Sequence, residues 1–228
     1  MNEKQIMQKL KTMGTEQNRK VYRRHGVGAD FYGVSFADLR QLGKQIKTDH
    51  ALALALWKTD NHDAHMLATM IADPQAMDAD TLDKWVKDLD NYIIADSFAS
   101  LVAKTPFASK KMLKWNKSKD EWVGRVGWHL LAQFAMHDPA LPDDYFMPYL
   151  DEIEDGIHRR KNRVREAMNN ALMAMGIRNE RLRERAFAVA KTIGAVEVDH
   201  GDTNCKTPDA TAYIHKAVAY RQKKQTVA

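Results

Sequence analysis

The sequence has little of what secreted and membrane proteins use to stabilise or anchor themselves. It contains a single cysteine, Cys205, so no disulfide can form within the chain. No apolar run approaches the roughly 20 residues that a membrane-spanning helix needs. Residues 1–5 also lack the apolar core of a signal peptide. We therefore expect a cytoplasmic protein that does not associate with a membrane.

The common catalytic and metal-binding motifs are also absent from the sequence. It has no glycine-rich phosphate loop, no nucleophile elbow and no kinase signature. Metal-ligand residue types occur in His-Asp-Ala-His at 62–65 and in His-Gly-Asp-Thr-Asn-Cys at 200–205. Neither segment has the ligand spacing of a known metal site. We expect neither a bound metal nor a cofactor.

Glycine and proline are sparse, with 11 Gly and 6 Pro in 228 residues, and they separate long stretches of helical periodicity. Leu39, Leu42 and Ile46 fall on one helical face, and similar patterns recur along the chain. Alternating β-branched runs are nearly missing, whereas good helix formers dominate. The sequence therefore predicts an all-α protein.

Helix stop signals recur at Ala72-Asp73-Pro74, at 137–139 and at 176–179. The last two are separated by about 40 residues, the length of a helix pair in HEAT-type repeats. We expect one domain over 1–228: an N-terminal helix in 1–20, a repeat array in 20–195, and a loop and helix in 196–228. Such arrays curve into a solenoid, here with a concave basic groove. An irregular helical bundle is the alternative.

Positive charge is concentrated in one part of the chain. The net charge is +5, but residues 158–185 hold nine Lys or Arg against three Glu. A second basic strip runs from Lys104 to Lys119. Either strip alone is typical of a solvated helix face, whereas the two together favour a nucleic-acid partner. We predict that the phosphate-contacting residues include Arg159, Arg160, Lys161, Arg163, Lys110 and Lys111.

One acidic side chain lies in an otherwise apolar segment. Asp96 follows Tyr92 by four residues, so on a helix the carboxylate and the ring share a face and could contact one ligand. The alternative is that Asp96 caps the start of a new helix.

Arg125 lies within the apolar segment Val-Gly-Arg-Val-Gly-Trp at 123–128. Its guanidinium either reaches a phosphate or pairs with a carboxylate such as Asp96. Gly124 and Gly127 lower helix propensity, so either a ligand approaches the backbone there or two helices pack closely.

Four segments resemble the DNA alkylation repair family, the AlkD-like DNA glycosylases built from HEAT-like repeats. They are Tyr-Gly-Val-Ser-Phe-Ala-Asp-Leu-Arg at 32–40, Asn-Tyr-Ile-Ile-Ala-Asp at 91–96, Glu-Trp-Val-Gly-Arg at 121–125, and residues 163–176. The resemblance covers about residues 20 to 190 and depends on the order and spacing of these segments. Residues 198–210 resemble the tail of an uncharacterised branch of the family.

The resemblance implies excision of cationic N3- or N7-alkylpurines from DNA without base flipping. Matched segment by segment, the family's aspartate falls on Asp96, one of its aromatic residues on Tyr92 and its supporting arginine on Arg125. A second family tryptophan falls near Asn170, which is a departure from the pattern. We count Asn170 and Trp122 among the expected DNA-contacting residues.

The expected reaction is hydrolysis of the N-glycosidic bond of a cationic alkylpurine. A carboxylate stabilises the oxocarbenium-like sugar and orients water, and aromatic rings add cation–π attraction of about 0.5–2 kcal/mol each. Tyr92 in place of a tryptophan weakens that attraction, and Asn170 in place of a second tryptophan removes it. We therefore predict a weak or narrowed glycosylase, or a protein that binds damaged, bent or branched DNA without cutting it.

The expected partner is double-stranded DNA, alkylated or distorted, bound by a monomer. A helical-repeat scaffold for acidic proteins is a third alternative.

Overall fold

The computed structural model describes residues 1–28 and 30–227 of the chain. Within them the only β-type pairing is an isolated bridge between Asp30 and Asn61, so the all-α prediction is confirmed. A 3₁₀ turn at Ile157–Arg159 accompanies the helices. The α-helices of the described residues are α1 (Glu3–Met13), α2 (Glu16–Arg24), α3 (Phe36–Ile46), α4 (His50–Trp57), α5 (His62–Ile71), α6 (Ala79–Trp85), α7 (Tyr92–Val102), α8 (Ala108–Trp115), α9 (Glu121–His137), α10 (Asp143–Gly156), α11 (Asn162–Arg178), α12 (Glu180–Ile193) and α13 (Ala210–Val227).

Most helix starts are defined by a polar residue just before the first turn. Its side-chain oxygen accepts a backbone N–H that has no partner within the helix. Ser35 does this for α3, Asn61 for α5 and Asn91 for α7. Asp120 and Asn179 have the same role at α9 and α12. Local sequence therefore decides where these helices begin.

The chain forms two compact units. The first contains residues 1–111 and 200–204, and the second contains residues 112–199 and the chain from Cys205 onward. The sequence-based division into a terminal helix, a repeat array and a tail stays a prediction.

In the first unit, α3, α5 and α7 run in the same direction: Asn91, just before α7, lies 3.4 Å from His62 at the start of α5, and a Cβ at Gly43, near the end of α3, would lie 3.4 Å from Met70 near the end of α5. The buried Asp63 carboxylate, at the start of α5, accepts the backbone N–H groups of Tyr32, Gly33 and Val34, at 2.6, 3.0 and 3.0 Å, just before α3. Further along α5, the Thr69 hydroxyl bonds that of Ser97 on α7 at 2.6 Å. Each helix of this layer is therefore tied to the next.

In the second unit, α9, α11 and α13 are parallel. The backbone N–H of Arg163, in the first turn of α11, donates to the Glu121 carboxylate in the first turn of α9 at 2.6 Å. At the other end of α11, Arg178 donates to the carbonyl of Ala135 on α9 at 3.0 Å. Because contacts join both starts and both ends, the two helices have the same direction and register.

Gly127 lies where α9 packs against the end of α8. A Cβ atom added there would lie 2.1 Å from the Asn116 backbone nitrogen. A Cβ at Gly124 would lie 3.1 Å from the Val164 side chain. These contacts support close helix packing, rather than ligand approach, as the reason for the two glycines.

None of the helices within the described residues combines the length and the apolar character that a membrane crossing requires.

We expect Gly127→Ala to destabilise the second unit by roughly 2–3 kcal/mol, because the new methyl group overlaps backbone atoms that cannot rotate away. Urea unfolding followed by far-UV circular dichroism measures the change. Gly156→Ala is the matched control, since a Cβ there meets only the end of the Arg159 side chain at 3.9 Å. Equal stability of the two variants would contradict this packing.

We expect His62 to make the first unit less stable in mild acid. The side chain is 1 % exposed, and its Nε2 has no hydrogen-bond partner among the described residues. Burial lowers the pKa of His62 from 6.5 to about 4, with Asp90 opposing the shift and His65 adding to it. The unfolded chain therefore binds a proton that the folded chain excludes. Stability is fully present above pH 6.5 and falls towards pH 4.

The loss between pH 7 and pH 5 should be about 2 kcal/mol. Urea titrations at several pH values measure it, and His62→Gln should remove most of this pH dependence. The exposed His137→Gln variant should keep the wild-type pH dependence. If His62→Gln also keeps it, the imidazole is not the titrating group.

Candidate nucleic-acid interface

Asp96 lies in the second turn of α7. The helix begins at Tyr92, and Asn91 is its N-cap residue, with Oδ1 accepting the N–H groups of Ile93 and Ile94 at 3.0 and 3.2 Å. The alternative that Asp96 is a helix cap is therefore wrong, because α7 already has a cap five residues earlier. The Asp96 side chain is half-buried.

Tyr92 is half-buried one turn before Asp96 on the same helical face. Its hydroxyl forms a hydrogen bond with His25 Nδ1, and the two rings pack edge to face with centroids 5.8 Å apart. His25 ends α2, and the sequence analysis did not identify it. The two residues are 67 positions apart, and no local pattern links them.

Arg125 is in the second unit, on α9, and its side chain is only 3 % exposed. Its Nη1 donates to the Glu166 carboxylate at 2.7 Å and to the backbone carbonyl of Arg163 at 3.2 Å. The sequence analysis left open a phosphate or a carboxylate as its partner. Glu166, a carboxylate on α11, is such a partner, and Arg125 presents almost no surface to solvent.

Glu166 also receives a hydrogen bond from Arg163 Nη1 at 3.0 Å. We use the term glutamate junction for Glu121, Arg125, Arg163 and Glu166, which join the starts of α9 and α11. Leaving a buried guanidinium without a counterion costs several kcal/mol, so Glu166 stabilises Arg125 in its position. Lys161 precedes α11 without forming a side-chain cap, and Glu121 of α9 satisfies the Arg163 N–H instead.

The basic connection, residues 158–161, links α10 to this junction. Two of its side chains are bound to backbone carbonyls: His158 Nε2 to Ile193 at 2.8 Å, and Arg160 to Asn116. The other two, Arg159 and Lys161, are exposed. Neither forms an ion pair with any of the described residues. The segment is therefore held in place while presenting two cations to solvent.

Arg163 differs from its exposed neighbours. Its side chain is 12 % exposed and its guanidinium is paired with Glu166, so its charge is largely neutralised within the glutamate junction.

Lys110 and Lys111, the two lysines that were predicted to contact phosphates, lie on α8 in different environments. Lys110 is exposed. Lys111 is 5 % exposed, and its ammonium donates to the Ala79 carbonyl at 2.7 Å and pairs with Asp83 at 2.8 Å. A buried, paired ammonium cannot approach a phosphate, so the prediction of Lys111 as a DNA contact is corrected to a structural role.

Trp122 and Asn170 are both half-buried, on α9 and α11. The residue beside Asn170 has a structural role, because the buried Asn169 amide donates to the Pro208 carbonyl at 3.0 Å. This bond holds the segment before α13 against α11.

Part of the predicted charge excess in 158–185 is neutralised by α10. Arg181 pairs with Asp144 at 2.6 Å, and Arg185 with Asp151 at 2.7 Å and Glu154 at 2.6 Å. These carboxylates lie before residue 158, so a count restricted to that stretch misses them. Within residues 158–185, the exposed cations that form no ion pair with the described residues are therefore Arg159 and Lys161.

A further group of cations lies on α13, which the sequence analysis assigned no role. Between residues 210 and 224 the chain has no Asp or Glu, and its cations are Lys216, Arg221, Lys223 and Lys224. The absence of acidic residues from this stretch is the sequence feature that could have identified α13 as a basic surface.

An open cleft of about 740 Å³ lies in the first unit beside α4, α5 and α6. The aromatic rings that line it stack on one another: the centroid of the Trp57 ring lies 4.0 Å from that of Trp85 and 4.5 Å from that of His65. Across the described residues no group of three or more His, Cys, Asp and Glu side chains is arranged to hold a metal ion.

Comparison with known proteins gives consistent matches. Residues 6–214 match the family described as DNA alkylation repair enzyme. The uncharacterized protein Lin0241 of Listeria innocua is 29 % identical over 219 residues, covering 93 % of this chain and 96 % of the relative. The uncharacterized protein Lmo0209 of Listeria monocytogenes is 28 % identical over 224 residues, with the same coverage of both chains.

A solved structure matches with a TM-score of 0.89 and 30 % identity, covering 97 % of this chain and 95 % of the other. It is described as representing a new family related to the HEAT-like repeat DNA glycosylases, with affinity for branched DNA structures. The predicted HEAT-like fold is therefore confirmed. Together with the match over residues 6–214, this shows that the chain belongs to the DNA alkylation repair enzyme family.

Proposed function

We propose that the protein binds branched or distorted DNA through the basic connection and the first turn of α11. The observation that carries the proposal is the pair of exposed cations, Arg159 and Lys161, on a segment anchored by His158 and Arg160. The similar solved structure, described as having affinity for branched DNA, supports the same class of ligand.

The anchoring matters because binding orders flexible side chains and loops, which costs free energy. A segment that is already fixed loses less freedom when a phosphate arrives. The first turn of α11 lies next to the two cations, but its helix dipole adds little positive potential there, because the Glu121 carboxylate already accepts the Arg163 N–H. Phosphate contacts of this kind position a protein on DNA without reading its sequence, which suits a ligand defined by shape.

We propose DNA binding rather than catalysis as the main function for two reasons. Arg125, the expected supporting arginine, is only 3 % exposed and is paired with Glu166, so it has almost no surface with which to contact a DNA ligand. Asn170 also stands where the family pattern has a second tryptophan, so one source of cation–π attraction is missing. The proposed partner is alkylated or distorted double-stranded DNA, bound by a monomer in the cytoplasm.

The second candidate function is hydrolysis of the N-glycosidic bond of cationic N3- or N7-alkylpurines. It is favoured by Asp96, a half-buried carboxylate that is not used as a cap and lies one turn from Tyr92. The bond from C1′ to the purine breaks and the base leaves as a neutral molecule. Water adds to C1′ and releases a proton, while the carboxylate stabilises the positive sugar.

We expect the double variant Arg159→Gln, Lys161→Gln to bind DNA with a weaker salt dependence than the wild type. Each phosphate contact contributes about 0.9 to the slope of log affinity against log salt, so the slope should fall by about 2. Fluorescence anisotropy of a labelled four-way junction, titrated at several salt concentrations, measures it.

The charge-matched control is Lys4→Gln, Lys11→Gln, two exposed lysines on α1, which should leave the slope nearly unchanged. An unaltered slope in the Arg159, Lys161 variant would exclude the basic connection as the DNA site.

For the second candidate, we expect the wild type to release 3-methyladenine or 7-methylguanine from methylated duplex DNA. Asp96→Asn should slow release about a hundredfold, because the neutral amide stabilises the cationic sugar poorly. Chromatography of the freed bases measures the rate, and Asp80→Asn, an exposed acid on α6, should keep it. If the wild type frees no base while still binding DNA, the enzymatic candidate fails and the binding proposal stands.

A further inference from the structure

The outer face of α13 carries an alternating stripe of aromatic and cationic side chains. Tyr213, Lys216, Tyr220, Lys223 and Lys224 are spaced by three, four, three and one residues, so they lie on one helical face. Tyr213 is 47 % exposed and Tyr220 is 60 % exposed, and the three lysines are also exposed. Single exposed rings are common on protein surfaces, so the informative feature is the alternation of the two rings with lysines on one face.

The opposite face of α13 is fixed within the second unit. Ala210 and Ile214 are buried, and Ile214 packs on Gly176, where an added Cβ would lie 2.5 Å from its Cδ1 atom. Arg221 donates to the carbonyl of Ile177 at 3.1 Å. The exposed stripe therefore lies on a helix whose orientation is set by its buried side.

The contacts of α13 also show that the stripe and the basic connection lie far apart. The segment before α13 is bonded to Asn169, and Arg221 is bonded to the last turn of α11, so the two helices are parallel. The basic connection precedes the first turn of α11, a 17-residue helix about 25 Å long. Tyr220 and the two lysines after it therefore lie near the opposite end of α11.

The chemistry of the stripe fits a single-stranded nucleic acid. Proteins that bind single strands combine aromatic rings, on which bases stack, with cations that contact the phosphates. An acidic protein surface would use the lysines but not the two rings. Tyr213 and Tyr220 are seven residues apart, about 10 Å along the helix axis, roughly the length of three stacked nucleotides. Lys224 already lies 5.1 Å from the centre of the Tyr220 ring.

We propose that α13 binds the single-stranded arm of a branched DNA, with Tyr213 and Tyr220 stacking on bases and Lys216, Lys223 and Lys224 contacting phosphates. This proposal rests on the proposed DNA binding and extends it to a second surface. A branched molecule differs from a plain duplex in having more than one arm. A protein with two separated DNA surfaces can engage both arms at once, and the second contact then raises the overall affinity.

The test compares three labelled probes by fluorescence anisotropy: a plain duplex, a fork with one single-stranded arm, and a single-stranded oligonucleotide. We expect the wild type to bind the fork more tightly than the duplex. The triple variant Lys216→Gln, Lys223→Gln, Lys224→Gln should lose about tenfold in affinity for the fork and for the single strand. Its affinity for the duplex should change less than about twofold.

Two controls separate stacking from charge and from folding. Tyr213→Phe, Tyr220→Phe keeps the rings and should bind the fork like the wild type, whereas Tyr213→Leu, Tyr220→Leu should lose about tenfold. The triple variant Lys4→Gln, Lys11→Gln, Lys44→Gln removes the same charge from exposed positions of the first unit and should leave fork binding intact. Circular dichroism confirms that each variant is folded.

If the α13 variants bind the fork like the wild type, or lose affinity equally for the fork and the duplex, the proposal for α13 is overturned while DNA binding at the basic connection stands. If the wild type binds none of the three probes, both proposals fail.

Discussion

The glutamate junction is the interaction on which the second unit depends. Glu166 pairs with both the buried Arg125 and the nearby Arg163, and the Glu121 carboxylate accepts the first-turn N–H of Arg163 and supplies the second negative charge. Buried charges are tolerated only when they are paired and hydrogen-bonded, so each member of the junction stabilises the others. The same bonds bring the starts of α9 and α11 together, and they thereby fix the position of the basic connection that precedes α11.

The structure separates buried arginines and lysines, which hold helices together, from those that face solvent. Those that are buried hold helices together, as Arg125 does between α9 and α11 and Lys111 does with α6. Arg159 and Lys161 are left to face solvent, and their charge is not cancelled by a neighbouring acid among the described residues. The proposed DNA binding therefore depends on these two fixed, solvent-facing cations rather than on the net charge, which is only +5.

The sequence predicted the fold class and the family well, because helix periodicity, stop signals and segments such as 91–96 are local properties of the chain. It could not predict which charged side chains have an ion-pair partner elsewhere in the chain. Arg181 and Arg185 count as positive in a window of sequence, yet their partners lie on α10, more than 30 residues earlier. The contact between Tyr92 and His25 spans 67 residues. Such pairings depend on tertiary packing, which a single sequence does not record. The expected catalytic residues Asp96 and Tyr92 and the expected DNA contacts Trp122, Asn170 and Lys110 stay predictions.

Hydrogen–deuterium exchange with and without a four-way DNA junction shows whether the basic connection is the part of the chain that DNA covers. We expect bound DNA to slow amide exchange in the basic connection and in the first turn of α11, where the amides lie beside the proposed phosphate contacts. The exposed helix α1 should exchange at an unchanged rate and serves as the internal reference. Protection confined to other parts of the chain, with residues 157–165 exchanging as fast as in the free protein, would show that DNA binds elsewhere.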